Sequence, residues 1–361
     1  MSGTQNSWYI AGLMSGTSLD GLDIALCEFT LNKGSWQYKI LDAVTFPYSK
    51  SWIEQLRNAQ HLSANKLLLL HKEYGTYLGL QLNEFLKNNS IQPLLIASHG
   101  HTIFHQPDKN LTFQIGDANC IAATCGITTI SDFRSMDVAL GGQGAPLVPV
   151  GDELLFAEYD LCLNLGGFAN ISFRENQKRI AFDICPVNFV LNLLAASLDQ
   201  EYDVSGNIAA SGQTDQKMLQ KLNSLGYYGI PHPKSLGREW VEKHIFSALE
   251  SSNLSIPDKM NTFVEHIAVQ CGNIINPVAL PGMKLLITGG GAHNTYLIEQ
   301  IAKHCKVEVI IPDKLSIDFK EALIFAFLGL LRFKGEINCL SSVTGASRDS
   351  CGGVICYGIG S

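Results

Sequence analysis

"WYIAGLMSGTSLDGLDIALCEF" (Trp8–Phe29) decides how the chain is read. Two apolar runs, Trp8–Leu13 and Ile24–Phe29, flank a polar stretch, Gly12–Asp23, dominated by Gly, Ser, Thr and Asp. Short apolar runs bounded by turn residues predict buried strands. A hairpin connection takes about two to five residues, so a stretch of twelve predicts a loop that holds a ligand. Gly12, Gly16 and Gly21 let backbone amides approach an anion, and Ser15, Thr17 and Ser18 add hydroxyl donors. Asp20 and Asp23 would repel a bare phosphate. They fit if a divalent cation such as Mg²⁺ sits between carboxylate, water and phosphate oxygens, with Asp20 its candidate protein ligand. The Gly-Lys-Ser/Thr ending of a Walker A loop is missing. A plain polar turn is the alternative.

Outward from this stretch, Trp8–Leu13, Gly21–Phe29 and Trp36–Phe46 predict three successive strands. The helical run that follows the second polar connection opens at Ser63, a candidate cap. Pro93–Gly100 and Ile127–Phe133 predict further strands, and Gly116–Gly126 a helix, giving β-β-β-α-β-α-β. Near residue 160 the pattern restarts: "YDLCLNLGG", "FANISFRE" and "KRIAFDICP" as strands, then a helix, a helical insert at about 200–280, and β-α-β-α. Two halves of one order imply internal duplication. The Gly-rich segment Gly141–Glu153 is the candidate hinge, giving domains 1–140 and 141–339, with the last residues, about 340–361, packing back on the first.

Bulk numbers narrow the function. The 361 residues give ample length for two cores, and a net charge of −7 with no basic block argues against nucleic acid and anionic membrane as partners. The N-terminal residues lack a basic n-region and a long apolar h-region, so we expect no secretory leader. Ala322–Leu331, the greasiest run, is too short to span a bilayer. None of the ten cysteines forms a Cys-x-x-Cys pair, which predicts buried thiols in a reducing cytoplasm.

Two more glycine tips end strands. "NLGGFANIS" (Asn164–Ser172) offers the amides of Gly166 and Gly167, and "ITGGGAHN" (Ile287–Asn294) places Gly289, Gly290 and Gly291 between a strand and a helix. Each is also readable as a tight turn or close packing. Asp183 closes the strand "RIAFD" just before Pro186, a candidate helix start. A carboxylate there is a candidate general base, or a helix N-cap. Asp132, Arg134 and Asp137 precede the hinge; Arg134 is a candidate fork onto carboxylate or phosphate, or the three charges pair with one another. In an extended chain His99, His101 and His105 face one side, which we read as a polar contact to a sugar or a loop rather than zinc. Ser235 or Gly237 of "HPKSLGRE" reads as a helix cap.

Taken together, "MSGTSLDGLD", "SHGHTIFHQP", "FQIGDANCIA", "DFRSMDVALGGQGAPLVP", "NLGGFANIS", "IAASG", "HPKSLGRE", "TGGGAHN", "KEALIFAFLG" and "SVTGA" resemble the anhydro-N-acetylmuramic acid kinase family from about residue 8 to 348. The resemblance implies an α/β fold of two duplicated actin-like (ribonuclease H-like) domains with mixed β-sheets and an ATP cleft between them. It implies a cytoplasmic, ATP- and Mg²⁺-dependent kinase of a small-molecule sugar, and it suggests a homodimer. In that family water attacks C1 of 1,6-anhydro-N-acetylmuramic acid, the bridge opens, and O6 takes the γ-phosphoryl group. The water-activating base falls on Asp183, and the ATP loop on Gly16, Thr17, Ser18, Leu19, Asp20, Gly21, Leu22 and Asp23. Arg134, Asp137, Gln143 and Glu321, with His101, fall on the sugar side.

The sequence departs from the family pattern after the base. Where Phe-Asp-Thr-Gly-Pro-Gly-Asn and a later Asp are usual, this chain reads "FDICPVNFVLN", with Ile184, Cys185, Val187 and Asn192 at the changed positions. Two alternatives stay open: an altered nucleotide-dependent clamp of the same fold, and a kinase for a different amino sugar.

Overall fold

The computed structural model describes residues 7–16 and 18–358. By internal contacts the chain forms two compact units, Met1–Ala157 with Phe319–Ser361, and Glu158–Asp318.

In the first unit, β1 (Ser7–Ser15), β2 (Gly21–Asn32) and β3 (Ser35–Pro47) form an antiparallel meander. Lys33 and Gly34 make the second turn, both at positive φ, the geometry that matches the twist of the flanking strands. On its other edge β1 carries two parallel strands, β4 (Leu95–Ser98) and then β7 (Thr129–Ser131). A separate hairpin, β5 (His101–Gln106) with β6 (Leu111–Ile115), projects between those two in sequence.

In the second unit, β8 (Leu161–Leu165), β9 (Phe168–Glu175) and β10 (Lys178–Pro186) repeat the meander. Beyond β8 follow β11 (Lys284–Thr288) and β12 (Glu308–Ile310), both parallel. The orders β3-β2-β1-β4-β7 and β10-β9-β8-β11-β12 are the same topology written twice. The first sheet gains one more antiparallel strand, β13 (Val354–Cys356), on β7. The helical insert carries the helices Asn207–Ser211, Gln216–Asn223 and Ile256–Ile275.

Apolar spacing explains each core. The helix Ala64–Leu86 buries Leu67, Leu70, Tyr74, Leu78, Leu82 and Phe85, a three-to-four repeat, against Ile24, Leu26 and Ile96 of the first sheet. Ser63 occupies its N-cap position without a side-chain hydrogen bond. In the second unit Phe263, Val264, Ile267 and Cys271 of Ile256–Ile275 pack with Phe182, Ile184 and Val190 in one cluster.

The unit boundaries differ from those read in the sequence, 140/141 and 339/340. Gly141–Glu153 is part of the first unit: Gly142 leaves room only for the Asp137 carboxylate and the Ala346 methyl, and Gly151 lies against the Ile324 side chain. The chain rejoins that unit at Phe319 because the helix Lys314–Lys334 is buried almost continuously from Ala322 to Leu331.

That burial brings helix backbone onto strand backbone. A Cβ built on Gly12 would stand 2.0 Å from the Ala322 carbonyl oxygen and 3.0 Å from the Ala326 methyl. Gly12→Ala should therefore cost about 3 kcal/mol or more by overpacking. Gly34→Ala, at φ +85 but with nothing within 4 Å of the new Cβ, should cost only about 1 kcal/mol. Urea midpoints measure both, and equal losses would contradict this packing.

Candidate active site

The polar connection that opens the chain is shorter than its sequence suggests. Gly12–Ser15 complete β1 and Gly21–Asp23 begin β2, which leaves Gly16–Asp20 as a five-residue hairpin tip. That length is ordinary for a hairpin and by itself points to no ligand. Leu22 is a core residue at 1% exposure, Gly21 lies against the Phe46 carbonyl, and Asp23 Oδ1 accepts from Thr45 Oγ1 at 2.6 Å on the neighbouring strand. Gly21 and Leu22 are thereby packed into the sheet, and Asp23 is tied to the neighbouring strand. Gly16, Ser18 and Asp20 remain at the tip, with Leu19 at φ +62 and partly packed on the core. Thr17 lies outside the described residues. Ser18 Oγ donates to the exposed Asp20 carboxylate, and Tyr48 N–H donates to the Asp20 carbonyl at 3.3 Å.

Beside this tip the first unit gathers several of the candidate sugar residues. Arg134 Nε and Nη2 reach His99 Nε2 at 3.1 and 2.8 Å, and Nη1 donates to the Gly144 carbonyl at 2.7 Å. Nε2 must then be an acceptor, so His99 carries its proton on Nδ1, 2.9 Å from the Gly100 carbonyl. Burial, then the Arg134 charge, holds the His99 pKa far below its ordinary value. Burial lowers Arg134 to about 10, while Glu321 pulls it up, so it stays cationic at neutral pH. Glu321 is exposed, at the head of the buried run that starts at Ala322.

Three expectations change here. Arg134 neither forks onto a carboxylate nor pairs with Asp132, whose Oδ1 takes the Ser135 hydroxyl at 2.5 Å. Asp137, a candidate sugar ligand, is an internal clamp at 1% exposure: Gly144 N–H and Thr344 Oγ1 each donate to it at 2.7 Å, and Cys339 Sγ lies 3.1 Å away. The three histidines do not share a face, because Gly100 at φ +71 turns the chain between His99 and β5, and a bulge between Thr102 and Phe104 separates His101 from His105. His99 goes to Arg134, His101 to Ser15 Oγ at 2.9 Å, and His105 to Thr112 Oγ1 at 3.3 Å. Gln143 is exposed, its N–H held by the Thr344 carbonyl at 2.9 Å.

In the second unit the other two tips converge. Gly289, at φ +81, and Gly291 both lie against Leu165; a Cβ on Gly291 would stand 2.6 Å from the Leu165 Cβ. Asn188 Nδ2 ties the same place by donating to the Leu165 carbonyl at 3.2 Å. The Gly166 N–H is spent on the Phe168 carbonyl at 3.1 Å, and the Gly167 carbonyl receives Val187 N–H at 2.8 Å. The second tip thus braces the start of the helix Asn188–Ala196, while Gly167 and Gly290 stay exposed. From the second glycine the chain makes a 3-10 turn, Gly290–His293, and only then the helix Thr295–His304, capped by Asn294 Oδ1 on Leu297 N–H at 2.9 Å. An anion at the glycines would meet that turn rather than an open helix N-terminus.

Next to these glycines lies a cavity of about 470 Å³. Asn188, Asn192 and Tyr202 line it, with Gly290, Lys314 and Asp318. Its rim carries the pair His293 Nε2–Asp318 Oδ1 at 2.5 Å. Asn192, one of the changed positions, faces this cavity. The other three, Ile184, Cys185 and Val187, are fully buried core side chains.

Asp183 is half-buried at a bulge in β10, between Asp183 and Cys185. It caps no helix; Val187 holds that position. Its Oδ1 accepts from Asn170 Nδ2 at 3.0 Å and its Oδ2 from Leu236 N–H at 2.9 Å. Its carbonyl accepts from Tyr227 Oη at 2.7 Å, and its N–H reaches the Lys234 carbonyl at 3.3 Å. The segment 227–236 therefore straps the strand at that residue. Gly237, without a side-chain bond, precedes the helix Arg238–Val241. Each carboxylate oxygen keeps lone-pair capacity for a further donor. Among the described residues, no cluster of three or more His, Cys, Asp or Glu is arranged to hold a metal.

The profile of the anhydro-N-acetylmuramic acid kinase family matches residues 8–358. A protein of that name from Shewanella sediminis is 37% identical over 96% of this chain and 97% of its own. Those from Shewanella pealeana and Francisella tularensis subsp. novicida are 35% and 34% identical, over 96% and 94% of this chain and 97% and 96% of theirs.

Burial holds His101 at about 4, against an ordinary histidine value of 6.5, so it is neutral in the folded chain at pH 7. The unfolded chain binds the proton more readily between those two values, so stability falls as the pH drops through that window. His101 alone removes about 2 kcal/mol at pH 5. The urea midpoint should be lower at pH 5 than at pH 7, with a smaller drop in His101→Gln. Equal midpoints at the two pH values would contradict this.

Proposed function

The chain belongs to the anhydro-N-acetylmuramic acid kinase family, and we propose that it transfers the γ-phosphoryl group of ATP to 1,6-anhydro-N-acetylmuramic acid while water opens the 1,6 bridge. The water oxygen bonds to C1 and gives a proton to Asp183. The C1–O6 bond breaks, and O6 attacks the γ-phosphorus as ADP leaves. The products are N-acetylmuramic acid 6-phosphate and ADP, a step in the recycling of cell-wall sugar.

The observation that carries this reading is the mounting of Asp183. A general base must keep a fixed position and a free lone pair. Asn170 and Leu236 each take one oxygen in a single hydrogen bond, and the residue stays half-buried rather than sealed. The nucleoside belongs in the cavity beside Gly290, whose size suits a ligand of that class. In the second unit Gly289–Gly291 carry the phosphate-facing backbone, and in the first the candidate is the tip that bears the exposed Ser18 and Asp20. In the first unit His101, Arg134 and Glu321 provide the polar groups for the sugar.

A divalent cation neutralises phosphate charge in this chemistry. Asp20 would hold it. That carboxylate is exposed and tied only through Ser18, which fits an ion bound mostly by phosphate oxygens and water. No described helix is long and apolar enough to cross a membrane. All ten cysteines are free thiols, which is compatible with a reducing compartment. The apolar Ile184, Cys185 and Val187 extend the core behind Asp183.

ADP release, followed with the anhydro sugar, with free N-acetylmuramic acid and with no sugar, tests the reading. The anhydro sugar should stimulate it most; a rate indifferent to sugar would contradict it. Asp183→Asn should keep nucleotide binding and lose about 10²-fold or more in turnover. Gly291→Ala should raise KM for ATP about tenfold or more, because its Cβ meets Leu165 and moves the tip; an unchanged KM would remove that tip from nucleotide binding.

A further inference from the structure

Behind the tip of the first unit runs a chain of hydrogen bonds that none of the roles above uses. Tyr74, on the helix Ala64–Leu86, is fully buried, and its hydroxyl lies 2.5 Å from that of Tyr48. Tyr48 Oη–H donates to Ser15 Oγ at 2.8 Å. Ser15 Oγ in turn lies 2.9 Å from His101 Nδ1. Ser15, Tyr48 and His101 are 2%, 6% and 4% exposed, so water does not compete for these bonds.

The proton count gives the chain a direction. Each hydroxyl owns one proton. With that of Tyr48 spent on Ser15, Tyr74 must donate to Tyr48. Ser15 still has its own proton, and His101 Nδ1 is the acceptor in reach. In the reverse arrangement, Nδ1–H onto Ser15, the buried Ser15 proton would be left with only the less well placed Tyr74 oxygen, a poorer satisfaction of the kind that native interiors avoid. The sequence is therefore Tyr74 to Tyr48 to Ser15 to His101, and it places the imidazole proton on Nε2. That nitrogen has no partner among the described residues and is not sealed from solvent. Burial raises both phenols, Tyr48 to about 12, and lowers His101, so all four groups are neutral at pH 7. His101 also lies close enough to His99 to act on its charge, which continues the cluster to Arg134 and Glu321.

We propose that Tyr48 and Tyr74 are positioning residues that hold His101 as a neutral Nε2–H donor for an oxygen of the sugar. The proposal rests on the reading of His101 as a sugar contact. It assigns the two tyrosines a role in substrate choice: the imidazole offers a proton, so a hydroxyl or carbonyl oxygen is accepted and a group able only to donate is not.

Tyr48→Phe tests this with little change of shape, and Tyr74→Phe repeats the test one link further back. Nitrogen NMR of ¹⁵N-histidine-labelled protein, with the His101 signals assigned by their loss in His101→Ala, should show Nδ1 bare and Nε2 protonated. In Tyr48→Phe, Ser15 can either donate or accept, and the two His101 tautomers should mix. KM for the anhydro sugar should rise roughly tenfold, the scale of one well-aligned hydrogen bond, with KM for ATP unchanged. In His101→Ala the added Tyr48→Phe should change nothing further. A proton on Nδ1 in the unmodified protein, a tautomer insensitive to both tyrosine variants, or an unmoved sugar KM would overturn the proposal. Should the protein turn over no anhydro sugar at all, the functional reading would fail, while the spectrum would still judge the relay by itself.

Discussion

A carboxylate that serves as a base must be immobilised by donors that leave it a lone pair, and in the second unit the surroundings of Asp183 meet that condition. Asn170 on the paired strand takes one oxygen, and the Leu236 amide takes the other. Hydrogen bonds to a charged acceptor contribute about 1.5–3 kcal/mol each, enough to fix the side chain against free rotation. The bulge after Asp183 and the strap through Tyr227 and Lys234 fix its backbone as well. The apolar wall behind it, Ile184 through Val187, makes that anchorage stiff rather than polar.

The duplicated topology explains why the remaining polar groups fall where they do. In both units the first meander turn leaves a tip at the end of a strand whose other edge carries parallel partners. The two copies use that tip differently. In the second unit it is short, braced by the helix Asn188–Ala196 and by Gly289 and Gly291. In the first it is longer, projects Ser18 and Asp20 outward, and is rooted at Ser15 in a buried chain of neutral hydroxyls. One strand order therefore supplies a rigid glycine floor in one unit and a polar, hydroxyl-bearing tip in the other.

Strand periodicity made the sheets legible from sequence: all three strands of the first meander were placed within about three residues of their ends. Asp183, the triple glycine and Arg134 also stood out, as charges or glycines at the ends of apolar runs. Other features had no local signal. Gly12, Ser15, Gly21 and Asp23 are small or polar for reasons of packing and cross-strand pairing, which made a five-residue tip look like twelve. Asp137 looks like a ligand until its partners at Thr344 and Cys339, some two hundred residues away, are in view. Leu236 acts through its backbone, so its side chain says nothing. The cavity is assembled from segments near 190, 202, 290 and 314, none of which is distinctive alone. The unit boundary depends on how closely helix and strand backbones approach at Gly12, a contact between residues three hundred positions apart.

The central claim is that the acid fixed at Asp183 directs water to carbon, not to phosphorus. A single turnover in H₂¹⁸O, quenched before the anomeric oxygen exchanges with solvent and read by ¹³C and ³¹P isotope shifts, tests it most directly. The account predicts ¹⁸O at C1 of the product and none in its phosphoryl group. Label on phosphorus, or an unlabelled C1 in a phosphorylated product, would contradict it.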